Sequence, residues 1–295
     1  MVVVTWRGRG LVGCCLDALA AQTRPHRVLV VDNASTDGTA AEIAAHPVLR
    51  MARNVGYAGA LAAALPLVNT PFMAWLNDDA QPEPGWLAAL EQALDDDGAA
   101  AAAASMLHAP DGVVTSTGVA LTRLGYGRDS TGALPFGFCG GAALLRTDTL
   151  RAIGGVAGAL FCYYEDTDTS WRLRLAGYRV LTVPGARVRH LGGASARHGT
   201  AAFHRWNERN RLLVLLRCAP AGVAARELAR FTGLTLVLPF RGNNPGTPNF
   251  APPLRLRVLA EVAARLPATL LARHHISRHC AIPRAAIWST WAGHP

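Results

Sequence analysis

Short apolar, β-branched runs alternate with longer Ala- and Leu-rich stretches over the first hundred residues, and this alternation predicts βαβ units on a parallel sheet. Residues 2–5, 28–32, 48–51 and 72–76 read as strands, and the stretches near 10–22, 38–45, 57–68 and 84–95 read as the intervening helices. From 100 to 160 the pattern is less regular. It holds two Gly-rich turns, Gly125-Tyr126-Gly127 and Gly137-Phe138-Cys139-Gly140-Gly141, expected to form a far wall and a mobile loop. The acidic stretch 163–168 then leads into a basic amphipathic helix at 171–176, followed by two short strands at 179–183 and 187–190. Beyond residue 200 the pattern is helical, broken by the Pro-rich stretch 241–253. Within 254–266, Leu254, Val258, Leu259, Val262 and Leu266 share one helical face and Arg257, Glu261 and Arg265 another.

Polar residues collect where the predicted strands end: Thr5-Trp6-Arg7, Asp32-Asn33-Ala34-Ser35, Arg53-Asn54 and Asn77-Asp78-Asp79. Ligands of open α/β sheets bind beyond the carboxyl ends of the strands, so these four groups are expected to share one crevice. Asp32 is placed to accept hydrogen bonds from a base or ribose, while Thr36 and Asp37 suit the turn and the cap of the next helix. In Asn77-Asp78-Asp79 the alternate residues 77 and 79 can face one side. The string reads either as a solvated loop before a helix begun by Pro82 and Pro84, or as oxygen ligands for a divalent cation; its place at a strand end favours the cation.

A second acidic pair, Glu165-Asp166, follows Phe161, Tyr163 and Tyr164. Aromatic neighbours can stack on a sugar ring, and partial desolvation raises a carboxylate's pKa, which improves it as a general base. Asp168 suits the N-terminal turn of a helix. His190 ends a predicted strand; a lone His is more often structural than a ligand, although imidazole is a sound ligand for manganese-like ions.

Composition shifts this picture mainly at the C-terminal end. The chain has 295 residues, is 51% hydrophobic and carries a net charge of +9, with Arg supplying all 29 basic residues. Residues 1–195 hold 15 Arg against 17 acids, whereas 196–295 hold 14 Arg against 3 Glu. The basic character therefore belongs to the last third. That third lacks the aromatic interleaving of an RNA- or DNA-binding motif, so no nucleic acid partner is expected. Two readings stay open for it, a solvated basic face or a peripheral contact with anionic lipid. No apolar run reaches the roughly 18 residues of a membrane span, and no secretory signal is visible. The six Cys, at 14, 15, 139, 162, 218 and 280, form no C-x-x-C pair, and a reduced, cytoplasmic chain is expected.

In order along the chain stand Val30-Val31-Asp32-Asn33-Ala34-Ser35-Thr36-Asp37-Gly38-Thr39, Arg53-Asn54-Val55-Gly56-Tyr57-Ala58-Gly59 and Trp75-Leu76-Asn77-Asp78-Asp79-Ala80. Gly140-Gly141-Ala142-Ala143-Leu144-Leu145-Arg146, Tyr164-Glu165-Asp166-Thr167-Asp168, Trp171-Arg172-Leu173-Arg174-Leu175-Ala176-Gly177-Tyr178 and Val188-Arg189-His190 follow. This ordered set, spanning roughly residues 2–215, resembles the family 2 glycosyltransferases of GT-A fold, in particular bacterial rhamnosyltransferase- and galactofuranosyltransferase-like members. The resemblance implies an α/β, Rossmann-like fold with a mixed central sheet. It implies a catalytic domain over 1–200 and a basic helical C-terminal region over 201–295. The implied reaction is inverting transfer of a sugar from dTDP-rhamnose or a UDP-sugar to a hydroxyl of a glycan or polyprenyl-linked acceptor, assisted by Mg2+ or Mn2+; contact with the inner face of the plasma membrane stays one of the two readings of the basic region.

The same resemblance assigns Asp166 as the base, and Asn77, Asp79 and His190 to the metal-diphosphate site. Thr5, Asp32, Asn54, Gly56 and Asp78 would line the nucleotide, with Glu165, Trp171 and Arg172 on the acceptor side or in support. Two departures stand out: Ala60-Leu61-Ala62 replaces the usual Gly and Asn residues, and Arg7 holds a place often taken by Asn. Two other readings are a nucleotidyltransferase and a non-catalytic sugar-nucleotide-binding protein. The first needs a Gly-rich basic phosphate loop near the first strand, where only Trp6-Arg7-Gly8-Arg9-Gly10 stands; intact Asp79, Asp166 and His190 argue against the second.

Overall fold

The computed structural model describes residues 1–191, 199–240 and 246–293. Gly192 and Gly193, which follow His190, and the 241–245 part of the Pro-rich stretch lie outside the described residues. The first half runs β1 (Val2–Thr5), α1 (Val12–Ala20), β2 (Leu29–Asp32), α2 (Thr39–Glu42), β3 (Val48–Arg50), α3 (Gly56–Ala64), β4 (Phe72–Asn77), β5 (Ala80–Pro82) and α4 (Trp86–Asp96). Next come β6 (Ala100–His108), β7 (Val114–Ser116), β8 (Gly118–Leu121), β9 (Gly127–Ser130), β10 (Ala142–Arg146), α5 (Thr147–Ala152), α6 (Glu165–Leu175) and β11 (Arg179–His190). Four helices follow: α7 (Ala201–Cys218), α8 (Ala221–Val237), α9 (Pro252–Arg278) and α10 (Arg284–Trp291).

The main sheet has the order β3-β2-β1-β4-β10-β6-β11-β5, with β7 on the side of β6. The strands β3, β2, β1 and β4 are parallel, as the alternating pattern predicted, while β10 runs antiparallel between β4 and β6. Every residue of β1 is buried, as expected of a strand covered on both faces. Helix α1 turns one stripe, Val12, Cys15, Leu16 and Leu19, into the apolar cluster that also holds Val3 of β1.

The middle of the chain is more regular than its sequence suggested. Five consecutive Ala open the nine-residue strand β6, a composition with little β propensity of its own. Tertiary context decides it: β6 lies between β10 and β11, and Trp86 of α4 reaches it, its Nε1 donating to Ser105 Oγ at 2.7 Å. The two strands expected at 179–183 and 187–190 are one, β11, bent where its register with β6 shifts between Val183 and Arg187. Beyond that bend β11 stays paired with β6 on one side and pairs antiparallel with β5 on the other, setting His190 opposite Ala80.

The helix expected at 171–176 begins at Glu165 and is not amphipathic. Thr167, Asp168, Thr169, Ser170, Trp171, Arg172 and Leu173 are all buried, because α7 and α10 cover the side that would have faced water. Trp171 stacks on Trp288 with ring centroids 5.9 Å apart. Helix α9 carries the predicted apolar face, with Val258 and Val262 buried, but continues through Pro267 to Arg278. Leu212–Leu215, Phe231 and Val258 belong to the same apolar core as Trp75, Phe138 and Trp171. Several C-terminal Arg are interior rather than solvated: Arg209 pairs with Glu261, Arg211 with Glu208, and Arg217 with Asp168. All six cysteines are free thiols, and among the described residues no helix is long and apolar enough to cross a membrane.

Candidate active site

The parallel strands β2, β1 and β4 end side by side, so Asp32, Thr5 and Asn77 meet along one edge. Thr5 Oγ1 donates to Asp78 Oδ2 at 2.6 Å. Burial pushes the Asp78 carboxyl up to about 6, against the lowering hydrogen bond from Thr5 and with a further rise from neighbouring Asp79. Gly8 packs directly on this pair, and a Cβ there would collide with both Thr5 Oγ1 and Asp78 Oδ2. Asp32 is fully buried; its Oδ1 accepts from Ser35 N at 2.9 Å. Arg50 approaches Oδ2 to 2.9 Å without the alignment of a hydrogen bond, leaving that oxygen with an unused acceptor position. A ribose or base donor fits such a buried, unsatisfied oxygen.

The antiparallel pairing of β5 with β11 brings His190 to the Asn77-Asp78-Asp79 turn. Its Nε2 lies 3.1 Å from Asp79 Oδ1 and 3.2 Å from Asn77 Nδ2. With the amide so placed, a single imidazole nitrogen cannot accept from Asn77 and donate to Asp79 at once. A divalent cation shared by Asp79 and His190 removes that conflict, and the oxygen and imidazole donors suit Mg2+ or Mn2+. Among the described residues no group of three or more His, Cys, Asp or Glu could hold a metal ion, so Asp79 and His190 do not make a complete metal site by themselves.

Gly140-Gly141, placed by sequence in a far wall, joins this cluster to the second acidic pair. Asn77 N donates to Gly141 O at 3.0 Å, and Gly140 N donates to Asp166 Oδ2 at 3.0 Å. A methyl added at Gly141 would stand 3.5 Å from both Asn77 Nδ2 and His190 Nε2; one at Gly140 would stand 3.3–3.4 Å from the carboxyls of Glu165 and Asp166. Tyr57 Oη donates to Gly140 O at 2.6 Å and fixes the turn from α3.

Asp166 is partly exposed. Its Oδ1 accepts from Thr167 N at 2.5 Å and Thr167 Oγ1 at 3.1 Å. Burial raises its pKa, and the donors from Gly140 and Thr167 oppose that rise. Glu165 is buried with Oε2 unpartnered; burial first, then the charge of Asp166, push its pKa well above the carboxylate range. Two carboxyls this close titrate as a pair.

The remaining expected site residues have supporting positions. Asn54 Oδ1 accepts from Gly56 N at 2.8 Å and so shapes the start of α3. Gly56 (φ +76°) lies so close to the Phe161 backbone that any Cβ would collide with its carbonyl. Arg172 is buried, with Nε 2.8 Å from Asp168 Oδ2 and Nη1 donating to Ile153 O at 2.9 Å. Asp168 is thus more than a residue favoured by the helix dipole: against the upward push of burial, Arg217 and Arg172 hold its pKa below the ordinary range. Trp171 and Arg172 buttress α6 rather than line the crevice.

The Trp6–Gly10 segment is no phosphate loop. Arg7 N donates to Ser35 Oγ, Arg9 N to Asp37 Oδ2 and Gly10 N to Glu42 Oε1, so those amides are already engaged. Sequence reasoning passed over the role of Asn210, whose side chain reaches the turn before Glu165 from α7. An Asn between Arg209 and Arg211 in a helical stretch was the only local signal.

The mixed sheet, with β10 antiparallel between β4 and β6, is of GT-A type, and the clustered acids stand at its strand ends with a carboxylate pair across one turn. The family model for glycosyl transferase family 2 matches residues 1–154, and the chain belongs to that family. It is similar to the N-acetylglucosaminyl-diphospho-decaprenol L-rhamnosyltransferase of Mycobacterium tuberculosis, 28% identical over 208 residues, covering 58% of this chain and 68% of the relative. Among solved structures, the mannosyltransferase PcManGT of Pyrobaculum calidifontis, in complex with GDP-Man and Mn2+, superposes with a TM-score of 0.54 at 20% identity. That match covers 98% of this chain and 77% of the other. GalNAc-T7 with UDP, GalNAc and Mn2+ gives a TM-score of 0.64 at 14% identity, over 90% of this chain and 56% of the other. These two likenesses concern the fold.

Proposed function

We propose that this family 2 glycosyltransferase transfers a sugar with inversion from a nucleotide-diphosphate donor, dTDP-rhamnose or a UDP-sugar, to a hydroxyl of a glycan or polyprenyl-linked acceptor. The observation that carries this reading is the single Gly140-Gly141 turn that touches Asn77 on one side and Asp166 on the other. Asp32 accepts from the nucleoside, and Thr5, Asp78, Asn54 and Gly56 shape its pocket. Asn77, Asp79 and His190 would hold a divalent metal, which when bound neutralises the charge of the departing diphosphate. Asp166 takes the proton of the acceptor hydroxyl as that oxygen bonds to the anomeric carbon. The anomeric carbon–oxygen bond to phosphate breaks, and its electron pair leaves on the nucleoside diphosphate. Glu165 keeps its proton and so spares Asp166 a second negative charge nearby. The mycobacterial relative, named for a decaprenol-linked acceptor, favours a lipid-linked substrate.

The test is release of nucleoside diphosphate from a panel of dTDP-rhamnose, UDP-galactofuranose and UDP-glucose, with and without Mn2+ or Mg2+, and the anomeric configuration of the product. Retention, or activity unaffected by a chelator, would overturn the mechanism or the metal respectively.

In this reading residues 1–200 carry the chemistry and 201–295 form a basic helical region that rests on the cytoplasmic face of the membrane. The exposed residues of α8 and of the turn after it support it: Arg226, Arg230, Leu236 and Val237 on the helix, then Phe240 at 88% exposure. The three acids of this region, Glu208, Glu227 and Glu261, are all engaged with Arg. Flotation with vesicles containing anionic lipid at low salt, lost at high salt and in Phe240→Ser with Leu236→Ser, is expected; no binding at low salt overturns the contact.

A further inference from the structure

The chain between Leu160 and α6 takes a conformation that its own residues disfavour. Phe161, Tyr163 and Tyr164 have φ of +70°, +69° and +71°. Non-glycine residues rarely adopt such angles, and three in four positions persist only where the surroundings over-determine them. Glu165 and Asp166 follow immediately, so this turn sets where both carboxyls stand.

The over-determination comes from α7. The buried amide of Asn210 donates to Leu160 O at 3.0 Å, Cys162 O at 2.8 Å and Tyr163 O at 2.8 Å. Arg209 Nη2 adds a second donor to Leu160 O at 2.6 Å. Phe161 O accepts from Ala58 N at 3.0 Å on the opposite side, where Gly56 permits the approach. Four successive carbonyls are therefore satisfied from outside the turn. The amide is itself fixed, since Asn210 Oδ1 accepts from Arg209 Nε at 2.9 Å and Arg209 is held by Glu261 of α9 at 3.2 Å. Aromatic contacts add to the grip, Phe161 on Trp206 at 5.0 Å and Tyr163 on Phe203 at 5.3 Å.

We propose that Asn210 is a positioning residue for the acceptor-side carboxylates, holding the left-handed turn 161–164 so that Asp166 stays against Gly140. This rests on the reading of Asp166 as general base. An Asp at 210 would turn an acceptor toward three carbonyl oxygens, and a Ser would keep one donor of two. The C-terminal helical region is then a working part of the reaction centre and not only an appendage.

The test compares Asn210→Asp and Asn210→Ser with Asp166→Asn and the double variant Asn210→Ser/Asp166→Asn. Turnover is read as nucleoside diphosphate release from dTDP-rhamnose and the UDP-sugars above, and donor-side integrity as calorimetric binding of dTDP and UDP with Mn2+. A misplacement near 1 Å lowers kcat about 10²-fold, and that is the loss expected for Asn210→Ser, with nucleoside diphosphate affinity within about threefold. The double variant should be no slower than Asp166→Asn, because a residue that acts only through Asp166 is silent once the carboxylate is gone. Asn210→Ser keeps the side chain small and serves if Asn210→Asp does not fold. Normal kcat in Asn210→Ser, an equal loss of nucleotide binding, or an additive double variant overturns the proposal. Near-normal turnover in Asp166→Asn instead overturns the base assignment, so the two failures are distinct.

Discussion

The two sides of this crevice, proposed above to take donor and acceptor, are built by opposite means. Thr5, Asp32, Asn77 and Asp79 stand where they do because β1, β2 and β4 end together, and regular parallel pairing fixes their spacing. Glu165 and Asp166 stand on a turn of disfavoured dihedral angles that distant helices hold in place. One side inherits its geometry from the sheet, whereas the other has it imposed. The lesson is that binding of the nucleotide and delivery of the base should fail separately.

The largest expected break in that comparison is Asp166→Asn. Loss of a general base lowers kcat by 10²–10⁴-fold, about 10³ here, with nucleoside diphosphate affinity nearly unchanged in calorimetry. Asp79→Ala should do the reverse, weakening Mn2+-dependent donor binding by about 10–100-fold, the scale seen when metal-site support is lost. If both variants lost binding equally, the two sides would not be independent.

A smaller effect belongs to Glu165→Gln. Burial and the charge of Asp166 keep Glu165 protonated where Asp166 ionises, and Gln mimics that neutral form, so the acid limb of kcat set by Asp166 should stay in place. A limb that moves down the pH axis would show that Glu165 is ionised beside Asp166 and overturn its neutral role. The smallest effect on turnover is expected from Arg217→Gln, which touches the far side of α6. Asp168 has a folded pKa below its unfolded value, so its contribution to stability is present above about pH 4 and is lost as pH falls through the lower folded pKa. The gap in Tm between wild type and Arg217→Gln should therefore be widest near neutrality and narrow below about pH 4.

The same contrast explains what could be read from the chain alone. Strand ends carry their polar residues next to the apolar run that forms the strand, so Asp32 and Asn77-Asp78-Asp79 were legible locally. His190 is 113 positions from Asn77, and its residue type and position at a strand end were visible while its partners were not. In β6 the run of Ala hid a central strand because its β character comes from neighbours and not from propensity. Gly56 was legible as part of a motif, but its reason, close approach to Phe161, is a contact across more than a hundred residues. The aromatic run at 161–164 looked like a stacking surface, and nothing local announced that Phe161, Tyr163 and Tyr164 take positive φ. Such a conformation is written in Asn210 and Ala58, which lie on opposite sides of it in sequence.

The Gly140-Gly141 peptide has a metrical consequence. Consecutive α-carbons across a trans peptide stand 3.8 Å apart, about the least elastic length in a protein. With Gly141 bonded to Asn77 and Gly140 to Asp166, the interval between the donor and acceptor halves of the site is gauged by one covalent unit. Loss of a side chain on one half leaves the other half's bond to this turn in place, whereas a residue inserted between Gly140 and Gly141 would change the interval itself.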